Sequence, residues 1–119
     1  MKPKHHPLEH LFLATKWSWQ GFKAAWQHEQ AFRIEIFASL FIIPLAFYLG
    51  ETSIERVLLL GAWMLVLIVE LLNSAIEATV DRISTEHHEL SGRAKDLGSA
   101  AVFLCNITFI GTWAVILVG

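Results

Sequence analysis

The sequence predicts an all-α integral membrane bundle of three transmembrane helices preceded by an amphipathic surface helix, in one membrane domain over residues 1–119. Three observations lead there. Hydrophobic residues fill 55% of the positions, above the roughly 45–50% typical of soluble domains. From Leu97 to Gly119 the chain runs 23 residues without a charge, enough at ~1.5 Å per residue to cross a hydrocarbon core of ~30 Å. Shorter uncharged stretches precede it, at 36–50 and 57–69.

The surface helix is expected over about residues 8–28. Leu8, Leu11, Phe12, Thr15, Trp19, Phe22 and Trp26 recur at steps of three and four, with Glu9, Lys16, Gln20, Lys23 and Gln27 on another face. That pattern suits a helix lying in the bilayer interface with Trp17, Trp19 and Trp26 at headgroup level, or one packed on the bundle. Glu29 follows it directly. The extreme end, MKPKHHPLEH, gathers His5, His6, Glu9 and His10. Its two prolines favour a loose terminus over a metal site. Glu9 and Glu29 interrupt any continuous apolar core there, so no cleavable signal is expected.

The first span is expected over about residues 31–49, with Pro44 bending it rather than ending it. The second runs over about 54–84 and the third over about 92–118, with Ser91 as the cap of the last helix. Lys2, Lys4, Lys16, Lys23 and Arg33 precede the first span, and Arg82, Arg93 and Lys95 surround the second connection. Only Arg56 of the nine basic residues falls elsewhere, which places the amino terminus and second connection in the cytoplasm. The net charge of −2 and the lack of a basic, aromatic-rich patch argue against nucleic acid. Cys105 stands alone in mid-span and reads as a packing residue.

The stretch VELLNSAIEATVDR (69–82) carries the chemistry. At ~100° per residue, Glu70, Asn73, Glu77 and Asp81 share a sector of about 80°, with Ser74 at its edge. Carboxylates in an apolar zone must face a bundle interior or a wet, cation-containing cleft. Grouped acids repel one another unless a cation joins them, and oxygen ligands with waters and phosphate suit Mg²⁺. A polar seam between helices and a proton relay are the other readings of this stripe. Beyond it the loop STEHHELSGRAKDLGS brings Glu86, His87, His88, Glu89, Arg93, Lys95 and Asp96 to the same end. The start of the last helix offers free backbone donors to an anion. No Walker motif, GxGxxG or kinase catalytic loop is present.

FKAAWQHEQAFR (22–33), VLIVELLNSAIEATVDRIS (66–84) and HELSGRAKDLGSAAV (88–102) closely resemble the prokaryotic diacylglycerol kinase family. The resemblance covers most of the chain and is weakest in the first 15 residues and the bodies of the first and third spans. It implies ATP-dependent phosphorylation of diacylglycerol to phosphatidic acid at the cytoplasmic face of a bacterial inner membrane, with Mg²⁺ accompanying ATP. It also implies a homotrimer with sites shared between subunits.

Carried over by motif, Glu70 resembles the general base, and Glu29 and Glu77 the metal-holding pair. Nucleotide contacts correspond to His10, Trp17, Glu29, Glu77, Glu86, His87, His88, Lys95 and Asp96. Lys23, Trp26, Arg33, Glu35, Glu70, Asn73 and Ser99 correspond to the reaction centre or the lipid opening. His10 stands where the family often has Arg, and Trp17 and His87 where it often has Tyr. The related undecaprenol kinases share the NSAIEA core and AKD but carry a PLAKK-like run where this chain has ELSGR. A polyprenol kinase is therefore the alternative within the enzymes, and a small proton-coupled exporter the alternative outside them.

Overall fold

The computed structural model describes residues 6–83 and 86–119 and contains four helices: α1 (Pro7–His28), α2 (Gln30–Leu49), α3 (Ser53–Ile83) and α4 (Glu89–Val118). The last three are long and apolar enough to cross a membrane, as the sequence predicts. His5, one of the histidines weighed above as a metal ligand, lies outside the described residues.

Local chemistry sets each boundary. His6 caps α1, its Nδ1 accepting from Leu8 N at 3.2 Å, and Pro7 follows in the first turn, where a missing N–H costs nothing. Ordered helix thus begins at the residue after His6, earlier than a loose end implies. Glu29 alone separates α1 from α2, in extended conformation (φ −117°, ψ 107°). The last α1 carbonyls would be orphaned at this break. Arg33 satisfies two of them, donating from Nη1 to Trp26 O at 2.6 Å and Gln27 O at 3.3 Å.

Helix α2 continues through Pro44. At the next turn, Thr52 Oγ1 accepts from Glu55 N at 3.1 Å, while Glu55 Oε1 reaches back to Glu51 N at 3.1 Å. This is a variant of the reciprocal cap that Thr-x-x-Glu sequences form. Arg56 Nε donates to Phe47 O at 3.1 Å and closes the end of α2.

The start of α4 corrects an expectation. The helix begins at Glu89, not near residue 92, and its cap is His88, whose Nδ1 accepts from Leu90 N at 3.0 Å. Ser91 lies inside the first turn. An imidazole with a bare ring nitrogen does what a hydroxyl does at this position, and the extended backbone of His88 (φ −141°, ψ 140°) presents it.

The core follows from one face of α3. Leu59, Ala62, Trp63, Val66 and Leu67 are buried at the three-and-four spacing of a core stripe. Residues 59, 63, 66, 70, 73, 77 and 81 all fall within about 80° of helix circumference. The same face is apolar along its first half and acidic from Glu70 onward. Against it α4 presents Ser91, Lys95, Gly98, Val102, Cys105, Phe109, Thr112 and Ile116, all buried or half-buried. Their steps alternate four and three, the spacing of helices packed side by side at about 20°. Trp63, Phe109 and Trp113 stack in sequence with ring centroids 5.1 and 5.5 Å apart, and Trp113 Nε1 donates to Leu59 O at 3.1 Å. Cys105 is buried in this cluster with Trp63, Val66 and Leu67, the packing role expected of it.

Candidate active site

The acidic half of α3 faces both neighbours. On the α2 side, the carboxyl groups of Glu35 and Glu70 stand within hydrogen-bond reach of each other, and Glu70 also lies within electrostatic range of Glu77 and Glu29. Glu35, Glu70 and Glu29 are half-buried, while Glu77 is exposed. Carboxylates from α2, α3 and the α1–α2 elbow thus act on Glu70, which itself lies in an otherwise apolar stretch. Such a grouping is unfavourable without a compensating cation or proton.

Asn73 ties the group together. Its Nδ2 donates to Glu77 Oε1 at 2.9 Å, one turn away on the same face. Its Oδ1 is buried without a partner, as is Glu35 Oε1. The Asn73 carboxamide fits only because α4 has a glycine opposite: a β-carbon built on Gly98 would collide with Asn73 Oδ1. Ser99, the neighbouring residue assigned to the reaction centre, is exposed.

At the far end of the stripe, Lys95 Nζ contacts Asp81 Oδ1 at 2.7 Å across α3 and α4, and lies within electrostatic range of Glu77. Arg93 pairs along its own helix with Glu89 at 3.7 Å. Glu86, His87 and His88 border a cavity of about 450 Å³ with Ile83, Leu90 and Ser91. Asp96 is exposed on the following turn. The loop residues read as nucleotide contacts are thus grouped at the same end of the bundle as the acids.

Two clefts separate α1 from the bundle. The larger, about 660 Å³, is lined by Trp19, Phe22, Lys23, Trp26, Gln27, Phe32, Ile36, Met64, Leu67, Ile68 and Leu71. The second, about 500 Å³, is lined by small residues of α1 and α3, including Gly21, Ala25, Ser74, Ala75 and Ala78, and reaches His28 and Glu29. Phe22 and Leu71 line both, so an almost wholly apolar groove adjoins one that reaches a carboxylate. Lys23 and Trp26, assigned to the lipid opening, do lie on it. Arg33 does not line it; its guanidinium is occupied at the elbow. His10 and Trp17 lie further back along α1. His10 is some 27 Å from His28 at the ordinary helical rise, and Trp17 about 17 Å.

Sequence reasoning missed the Asp81–Lys95 pair, the elbow role of Arg33 and the space at Gly98. The glycine within AKDLGSAA, in a helix that otherwise carries side chains, was the one available signal for the last of these.

Among the described residues no three His, Cys, Asp or Glu side chains form a ready-made metal cage. Mg²⁺ rarely needs one: it uses one or two carboxylates and leaves its other positions to phosphate and water. Glu29 and Glu77 fit that requirement.

Comparison with known proteins identifies the family. The sequence profile described as prokaryotic diacylglycerol kinase matches residues 16–117. A diacylglycerol kinase of Haemophilus influenzae is 58% identical over 97 residues, covering 82% of each chain. One of Escherichia coli (strain K12) is 55% identical over 107 residues, 90% of this chain and 88% of its own. One of Helicobacter pylori is 41% identical over 111 residues, 93% and 87% of the two chains. With three membrane-length helices, an acidic face and a profile match running from the first helix to the last, the chain belongs to the prokaryotic diacylglycerol kinase family.

Proposed function

We propose that this protein transfers the γ-phosphoryl group of ATP to the free hydroxyl of diacylglycerol, giving phosphatidic acid and ADP at the cytoplasmic surface of the bacterial inner membrane. The adjacency of the two clefts, the second of which reaches Glu29, carries the reading. A lipid with its acyl chains along Trp19, Trp26 and Met64 would direct its glycerol end past Phe22 and Leu71 toward the acids. The relatives named diacylglycerol kinase, and the family match, support the substrate.

In this reading Glu70 accepts the hydroxyl proton as the lipid oxygen attacks the γ-phosphorus and the bond to ADP breaks. Asn73 orients Glu77, and Glu35 bounds the reaction centre on the α2 side, with Ser99 near its α4 wall. Glu29 and Glu77 would hold Mg²⁺ with the phosphates, and the ion when bound would neutralise their charge. Lys95, Glu86, His87, His88 and Asp96 receive the nucleotide from the loop. Glu70 lies about 10 Å deeper along α3 than Glu77 by the helical rise, which separates proton acceptance from nucleotide binding by depth. His10 and Trp17, far along α1 from the elbow, would serve a neighbouring subunit's site in a homotrimer.

The test is purified protein in lipid bilayers, given γ-labelled ATP, Mg²⁺ and either diacylglycerol or undecaprenol. Label appearing in phosphatidic acid is the expected result. Preferential labelling of the polyprenol would overturn the substrate assignment. Proton-driven transport that survives Glu77→Gln, without ATP consumption, would replace the kinase reading with an exporter.

A further inference from the structure

Helices α2 and α3 are joined by the short link 50–52 and pack side by side. Most of what they share is apolar: Ala38, Ile42 and Ile43 rest on the cluster of Trp63, Val66 and Leu67. Such contacts resist separation but tolerate sliding and rotation. Beyond the Arg56–Phe47 contact beside the link, a second directional contact lies in the body of the pair. Trp63 Nε1 donates to Ser39 Oγ at 2.8 Å, and Ser39 Oγ in turn donates to the carbonyl of Glu35 at 2.7 Å, one turn back along α2. Trp63 is 6% exposed and Ser39 9%, so no water is at hand to replace either partner, and interhelical polar contacts of this kind fix helix register in a membrane. The indole is itself clamped against Phe109 of α4, which makes it a stiff strut. The side chain of Glu35 adds little to that hold, since its Oε1 is buried without a partner and its carboxyl faces another acid, Glu70.

We propose that Trp63 is a positioning residue: by holding Ser39, and through it the backbone of Glu35, it sets the rotation of α2 on α3 and so the place of Glu35 against the acidic stripe. Trp63 touches no reacting atom in this account. Its effect on turnover rests on the kinase reading above, whereas its effect on helix register does not.

The experiment therefore reads both. Trp63→Phe keeps the ring and removes the N–H, Ser39→Ala removes the acceptor, and Ser39→Thr retains it. Register is measured by the rate at which a short bifunctional methanethiosulfonate joins a Glu35→Cys, Glu70→Cys pair in the Cys105→Ala background, with and without Trp63→Phe or Ser39→Ala. Turnover is measured with diacylglycerol in each single variant. The expected result is cross-linking slowed about fivefold by Trp63→Phe and by Ser39→Ala, the scale of one lost interhelical hydrogen bond. The kcat should fall by a similar factor with the KM for ATP unchanged, and Ser39→Thr should stay near the parent. Cross-linking that is indifferent to both substitutions overturns the inference, as does a kcat unchanged in both. If the parent does not phosphorylate diacylglycerol while cross-linking still depends on Trp63, the kinase reading fails and the register role stands.

Discussion

In the proposed reaction Glu70 is the proton acceptor, and it lies within reach of Glu35 and within electrostatic range of Glu77 and Glu29. Replacing it by Gln keeps its shape and removes its basicity. Glu70→Gln should lower kcat by about 100-fold or more, the usual reach of a general base, with ATP affinity unchanged when measured by equilibrium binding. Glu29→Gln and Glu77→Gln should instead raise the Mg²⁺ concentration needed for half-maximal rate, and a metal titration superimposable on that of the parent would remove them from the metal site. Gly98 yields a stability prediction. A methyl group there meets the Asn73 carboxamide, so Gly98→Ala should cost about 1–3 kcal/mol, the range for overpacking. Thermal unfolding in detergent measures it. Adding Asn73→Ala should return much of the loss, since the collision is with that side chain. Glu70, Asn73 and Glu77 were legible in the sequence because their spacing places them on one helix face. The partner each finds, Glu35 for Glu70 and Gly98 for Asn73, was not, because those residues come from other helices.

Among the elements, the α1–α2 elbow bears most directly on the site. One extended residue, Glu29, reverses the environment from α1 to α2, and Arg33 ties its side chain to the carbonyls that the break exposes. A charged donor on two carbonyls contributes about 1.5–3 kcal/mol where it is shielded from water. Arg33→Met should loosen the elbow, and amide exchange at residues 28–30 should quicken by about tenfold or more. If exchange is unchanged, the guanidinium does not hold the turn. The three long helices were readable from uncharged length and the first from its periodicity. The start of α4 was placed three residues late, since histidine is an uncommon cap and Ser91 offered the familiar one. Only local backbone geometry shows that His88 already fills the position.

The whole molecule is spread thin, 47 × 41 × 22 Å with a radius of gyration of 17.4 Å, against about 13–14 Å for a compact globule of this length. Helix α4 leaves most of its side chains exposed in a single copy, Asn106 among them, and a carboxamide facing hydrocarbon is costly. Both features favour assembly, and chemical cross-linking in bilayers should stop at the trimer. Co-assembling subunits with His10→Ala and subunits with Glu70→Gln should recover activity beyond that of either alone if the sites are shared. Activity in a dispersed monomer equal to that of the assembly would exclude sharing. The sequence by itself determined that the chain can cross a membrane and which face of α3 is acidic, because these depend on composition and helical period, properties of neighbouring residues; the family followed from motifs that resemble known members. Only the tertiary structure decided what the acidic face meets: Glu35 from α2, Glu29 at the elbow, Gly98 and Lys95 from α4, and an apolar groove under α1. Those meetings arise from how separate helices rotate and close on one another, which is set by side-chain packing between segments, and along the chain only the glycine of AKDLGSAA hints at one of them.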